Sequence, residues 1–254
     1  MNYKNILKLP LALFLVLYFL YLVVSSAPAA WAAWAAHKAV PNLWLNSVEG
    51  SLWSGKAQSA QVDIGPESFA LGALNWQLNP WTLLILKPCV DFSASLPNQQ
   101  LSGSVCHGLG GTTELSDLNI DLPLSVIKAI LPMPASGSVS VQVLKAKFDK
   151  QLHVEQLAAR GSWQKAKVHN GETWMSFGSF AANAEADGQG GVSAKIFDLE
   201  GPYKSDFTAS WAMGKDASIA GTVAPQNGAD QVIIQGLQIL GEDLGDGSYR
   251  VQWP

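Results

Sequence analysis

From Leu43 onward apolar and polar positions alternate with a period of two, the mark of strands that bury one face. Phe69, Leu71 and Ala73 alternate with Ser68, Ala70 and Gly72. Val90, Phe92, Ala94 and Leu96 alternate with Asp91, Ser93 and Ser95, and Val139, Val141 and Val143 with Ser138, Ser140 and Gln142. Further alternating or mixed runs lie at 152–159, 163–168, 173–182, 191–199, 205–213, 217–224, 231–239 and 248–253. Between them stand turn residues: Asn170-Gly171, Asp187-Gly188, Gly201-Pro202, Asn227-Gly228 and Asp246-Gly247. One internal stretch breaks the pattern. Pro123 to Leu131 reads as a short helix, with Pro123 suited to its start and Pro132 to its stop; a short apolar strand is the alternative.

The chain opens on a different pattern. Lys4 and Lys8 precede an apolar run from Leu9 to Val24, then Ser25-Ser26 and Ala27-Pro28-Ala29-Ala30, and no acidic residue occurs before Glu49. Two readings compete, a membrane-spanning helix over 6–27 and a secretory signal peptide cut near Ala27-Pro28-Ala29. The apolar run fills or exceeds the roughly 7–15 residues of a cleavable core, and proline spoils the cleavage triplet. About 20 apolar residues cross a bilayer, so the retained anchor is favoured. Positive flanks stay inside, which puts residues 1–5 in the cytoplasm and everything after the anchor beyond the membrane. Residues 28–42 then form an interfacial or stalk segment, in which Trp31 and Trp34 share one helical face at the depth indoles prefer. A plain helical stalk without lipid contact is the alternative. Residues 43–254 form the β domain. The expected fold is mainly β: an extended antiparallel sheet curled into a groove, partial barrel or sandwich, with one short helix, preceded by a single transmembrane helix.

Charge and composition narrow the class. In 254 residues, 16 Lys and Arg stand against 20 Asp and Glu, a formal charge of −4, which gives nucleic acid no basic face. Charged residues are only 14%, where about 25% is usual for soluble domains. The two cysteines, Cys89 and Cys106, flank a hairpin. If Pro97-Asn98 form its loop, Leu96 faces Gln99, Ala94 faces Leu101, Phe92 faces Gly103, Val90 faces Val105 and Cys89 faces Cys106. Every apolar residue then shares one face, and a slip by one residue would divide them. Directly opposed cysteines lie within disulfide reach, and outside the cytoplasm they oxidise.

The search for chemistry returns little. His37, His107, His153 and His169 lie far apart without metal-ligand spacing. Gly108-Leu109-Gly110-Gly111 lacks the Lys-Ser/Thr of a phosphate loop, and no Gly-x-Ser-x-Gly elbow is present. The expectation is a protein without catalytic, cofactor or metal residues. Trp44, Trp53, Trp76 and Trp81 crowd the front of the domain, most of them as core anchors and a minority as a binding face for protein or lipid.

A cytoplasmic end and single anchor lead to Val48-Glu49-Gly50-Ser51-Leu52-Trp53-Ser54-Gly55-Lys56-Ala57, then Leu74-Asn75-Trp76-Gln77-Leu78 and Trp81. The whole resembles the N component of bacterial type II secretion systems. That resemblance implies a bitopic inner-membrane protein of Gram-negative bacteria with a periplasmic β domain. Its partners would be other secretion components, and its role accessory and non-catalytic. A more distant likeness to AsmA-type proteins, a structural analogy only, implies an alternative in which the apolar sheet face carries lipid or another hydrophobic ligand.

Overall fold

In the computed structural model the described residues are 14–16, 18–19, 22–65, 67–126, 133–212 and 214–253. The described residues within 14–25 are helical. Among the described residues no helix is long and apolar enough to cross a membrane, and much of the expected anchor lies outside them. Helix α1 (Ala29–Ala39) follows and lies along the first strand.

Sixty-one per cent of the described residues are strand, so the mainly β expectation holds. The strands are β1 (Leu43–Gly50), β2 (Ser54–Ile64), β3 (Glu67–Leu78), β4 (Cys89–Leu96), β5 (Gln99–His107), β6 (Thr113–Pro123) and β7 (Ala135–Phe148). They continue as β8 (Val154–His169), β9 (Trp174–Ala186), β10 (Gly191–Glu200), β11 (Tyr203–Ala212), β12 (Ser218–Pro225), β13 (Glu242–Asp243) and β14 (Tyr249–Trp253). All fourteen join one antiparallel sheet in sequence order, except that β14 comes before β13 at the far edge. The two edges, β1 and β13, do not pair, so the sheet is open. The described strands form one sheet, not two separate ones. The accessible surface, 16392 Å², far exceeds the roughly 11,000 Å² of a compact globule of this mass. Most of the sheet is therefore not covered by a second layer.

Four expectations are corrected. Pro123 closes β6 opposite Ser138 instead of opening a helix; a 3-10 turn, Leu124–Val126, follows, and residues 127–132 lie outside the described residues. The apolar run 231–239 is helix α3 (Gln231–Leu240), not a strand. Its N-terminus is capped by the Asp230 carboxylate, which accepts from Val232 N–H at 2.9 Å. Ile233, Ile234 and Leu237 are half-buried, while Val232, Ile239 and Leu240 are exposed, a helical spacing that an adjacent Val-Ile-Ile triplet obscures. A five-residue helix, α2 (Pro80–Leu84), also interrupts the β3–β4 connection; Asn79 caps it and Pro80 opens it. Finally, the runs 152–159 and 163–168 are one strand, β8. Gly161, without a side chain, interrupts the alternation but not the backbone.

The hairpin register reads as the sequence predicts: Leu96 opposite Gln99, Ala94 opposite Leu101, Phe92 opposite Gly103, Val90 opposite Val105 and Cys89 opposite Cys106. The two cysteines are joined by a disulfide with a Cα–Cα distance of 4.0 Å.

Candidate interaction surfaces

Directly opposed residues on neighbouring strands share a face, so the register can be followed from one edge to the other. One row runs Val48, Ala57, Leu74, Ala94, Leu101, Ile120, Val141, Gly161, Ala182, Ile196, Phe207, Gly221 and Val251. It contains no polar side chain. The row beside it, one residue on in each strand, runs Glu49, Lys56, Asn75, Ser93, Ser102, Asn119, Gln142, Arg160, Asn183, Lys195, Thr208, Ala220 and Gln252. Only Ala220 in it is apolar. The sheet thus presents one apolar and one polar face across thirteen strands, as period-two alternation in every strand requires.

At the β1 end that apolar face is covered. Ala29 of α1 packs with Ala57, Ala60, Leu74, Trp76 and Ala94, and Leu45, Val48 and Phe92 close around them. Gly55 makes the fit possible, because a Cβ there would lie 2.4 Å from Cζ2 of Trp76. Farther along, no helix among the described residues covers the face. An open trough of about 460 Å³ lies across β7 to β11, lined by Val139, Val141, Trp163, Phe177, Phe180 and Phe207 among others. Helix α3 packs against β13 and β14, and its capping residue Asp230 donates through its N–H to Tyr203 Oη on β11 at 2.9 Å. Burial raises the pKa of that phenol.

The structure separates the four front tryptophans. Trp76 is in the core, with 7% of its surface exposed. Trp53 is half-buried at the β1–β2 turn, and its Nε1 donates to Val24 O at 2.9 Å, which fastens the turn to the end of the N-terminal helix. Trp44 is exposed against His37 and donates to Asp63 Oδ2 at 2.7 Å. Trp81 is exposed on α2. Trp31 and Trp34 share the face of α1 turned away from the sheet and, with Ala35 and Leu52, border an open hollow of about 610 Å³.

A family model for type II secretion system protein N matches residues 41–252, all of the sheet but its last residue. The chain belongs to the type II secretion system protein N family. Type II secretion system protein N of Aeromonas hydrophila is 28% identical to it over an alignment 255 positions long that covers 95% of each chain. No solved structure matches.

Across this sheet the polar groups are engaged locally and do not converge. Among the described residues no three His, Cys, Asp or Glu side chains come together as metal ligands. His107 pairs with Thr113 Oγ1, His153 with the Asp149 carboxylate at 3.0 Å, and His169 accepts from Gly171 N–H. Burial raises the Asp149 pKa, but bonds from the His153 backbone and ring and from Gln151 N–H outweigh it and leave the carboxyl below its ordinary value. Sequence reasoning missed the continuous row, although its signal, the phase of alternation in each strand, was present; only the pairing register aligns those phases.

An ion pair between the α2–β4 connection and β6 has a pH signature. Lys87 Nζ lies 2.6 Å from Glu114 Oε2, and its hydrogen bond holds the Glu114 carboxyl below the usual range. A carboxyl depressed in the folded state stabilises above its unfolded value, about 4.3, and loses that contribution as pH falls through its folded value. Glu114→Gln is therefore expected to lower the denaturant midpoint at neutral pH. Titrated downward from pH 5, the two midpoints should converge.

Proposed function

We propose that the chain is an accessory inner-membrane component of the type II secretion machinery, a non-catalytic subunit that holds an apolar sheet face ready for other secretion components. Residues 1–5 lie in the cytoplasm, residues 6–27 cross the membrane once, and the sheet stands in the periplasm. The family match over residues 41–252 carries the reading. The N-terminal lysines and apolar run support the tether, and the disulfide suits an oxidising compartment. A clean deletion is expected to leave folded type II substrates in the periplasm, and the full chain in trans to restore their export. Unchanged export after deletion would overturn the reading.

The uncovered trough favours a second reading, a module that binds lipid or another hydrophobic ligand through Phe177, Phe180 and Phe207. Native mass spectrometry of the detergent-purified chain is then expected to find a bound lipid that Phe180→Asp removes. A ligand-free spectrum would count against it.

A further inference from the structure

Antiparallel topology sends every second connection to the same end of the sheet. Residues 51–53, 79–88, 108–112 and 149–153 all lie at one end. Neighbours among them touch: Leu78 N–H donates to Trp53 O at 2.7 Å, His107 N–H to Pro88 O at 3.0 Å, and Gly111 sits against Lys150. The N-terminal helix ends at the same place, where Trp53 Nε1 reaches Val24 O and Leu52 N–H donates to Ala27 O at 2.8 Å. Along this rim Trp81, Leu84, Ile85, Leu86, Leu109 and Leu152 are between 59% and 77% exposed. A single exposed leucine is ordinary; six large apolar side chains in contiguous connections are not.

We propose that this rim, chiefly α2 and Leu109, rests in the interfacial layer of a lipid bilayer as a second membrane contact beside the N-terminal helix. The inference rests on the tethered reading above. Three observations favour lipid over a protein partner. The rim begins where the apolar helix ends, the level at which headgroups lie. Between Glu67 and Asp91 the only charge is Lys87, which Glu114 neutralises, and the exposed Trp81 indole suits an interface. The polar groups of the segment are already used inside it: Asn79 Oδ1 accepts from Trp81 N–H, Thr82 Oγ1 donates to Asn79 O, and the same hydroxyl accepts from Cys89 N–H. What remains outward is greasy and without directional contacts. A protein interface carries about one hydrogen bond per 100–200 Å²; a fluid bilayer asks for none.

The test uses the full chain, disulfide intact, in vesicles of phosphatidylethanolamine and phosphatidylglycerol containing a lipid with a nitroxide on its acyl chain. The fluorophore NBD is placed singly by Ile85→Cys, Leu109→Cys, Phe19→Cys in the N-terminal helix and Glu172→Cys at the opposite end of the sheet. The expected result is nitroxide quenching at 19, 85 and 109 and none at 172. Quenching at 19 with 85 and 109 as bright as 172 overturns the rim contact and leaves the tether standing. Quenching at 85 and 109 but not at 19 keeps the rim contact and overturns the tether; quenching at none of the three overturns both. Labels at 85 and 109 that iodide cannot reach and the nitroxide does not quench mean burial against a second copy, which also overturns the rim contact.

Discussion

Trp76→Ala is expected to lower the stability of the sheet by about 3–5 kcal/mol, the usual range for removing a buried aromatic side chain. Trp76 is the largest side chain in the buried cluster at the β1 end. It stands opposite Gly55 on β2 and Phe92 on β4, and its Nε1 donates to Leu52 O at 3.3 Å. Its loss removes the surface on which Ala29 seats α1, and small alanines on all sides cannot close the gap. Urea unfolding measures the effect. Trp81→Ala, at a position 75% exposed, is the control and is expected to change stability by less than about 0.5 kcal/mol. Equal losses in the two variants would mean that the core is not where the register places it.

The second large effect is loss of the Cys89–Cys106 crosslink. The bond spans 17 residues, and closing a loop of that size stabilises by about 3 kcal/mol in the chain-entropy model. Cys89→Ser with Cys106→Ser should therefore unfold at a lower urea concentration, with little change in the steepness of the transition. Reduction of the native chain should reproduce the shift. A double variant as stable as the parent would show that the β4–β5 register is fixed by its apolar face alone.

That hairpin was legible in full because two independent constraints agree. The apolar residues of both strands fall on one face only in the register that also opposes the two sulfurs. Elsewhere alternation gave the strands, but not how they close. An open sheet and a rolled one share the same period, and the difference lies between β1 and β13, far apart in sequence. Helix α3 was misread because Val232-Ile233-Ile234 are strand formers side by side; the Asp230 cap was the better signal. The role of α1 was hidden for the opposite reason: its inward residues are alanines, which reveal no preferred face until a sheet supplies one. The four front tryptophans illustrate the general limit. Sequence places them close together, yet Trp76 is core, Trp53 fastens the β1–β2 turn to the N-terminal helix, and Trp81 projects outward. Strand parity and the end at which each connection emerges decide these fates, and both are properties of the assembled sheet.

The account turns on a chain held in the membrane by its first residues, with its sheet on the oxidising side. Mass-tagging of thiols with a maleimide polymer, on the intact chain from fractionated cells, tests this most directly. The predicted result is a chain in the inner-membrane fraction that takes up no tag until it is reduced, and then takes up two. A chain in the soluble cytosolic fraction that accepts both tags without reduction would contradict it.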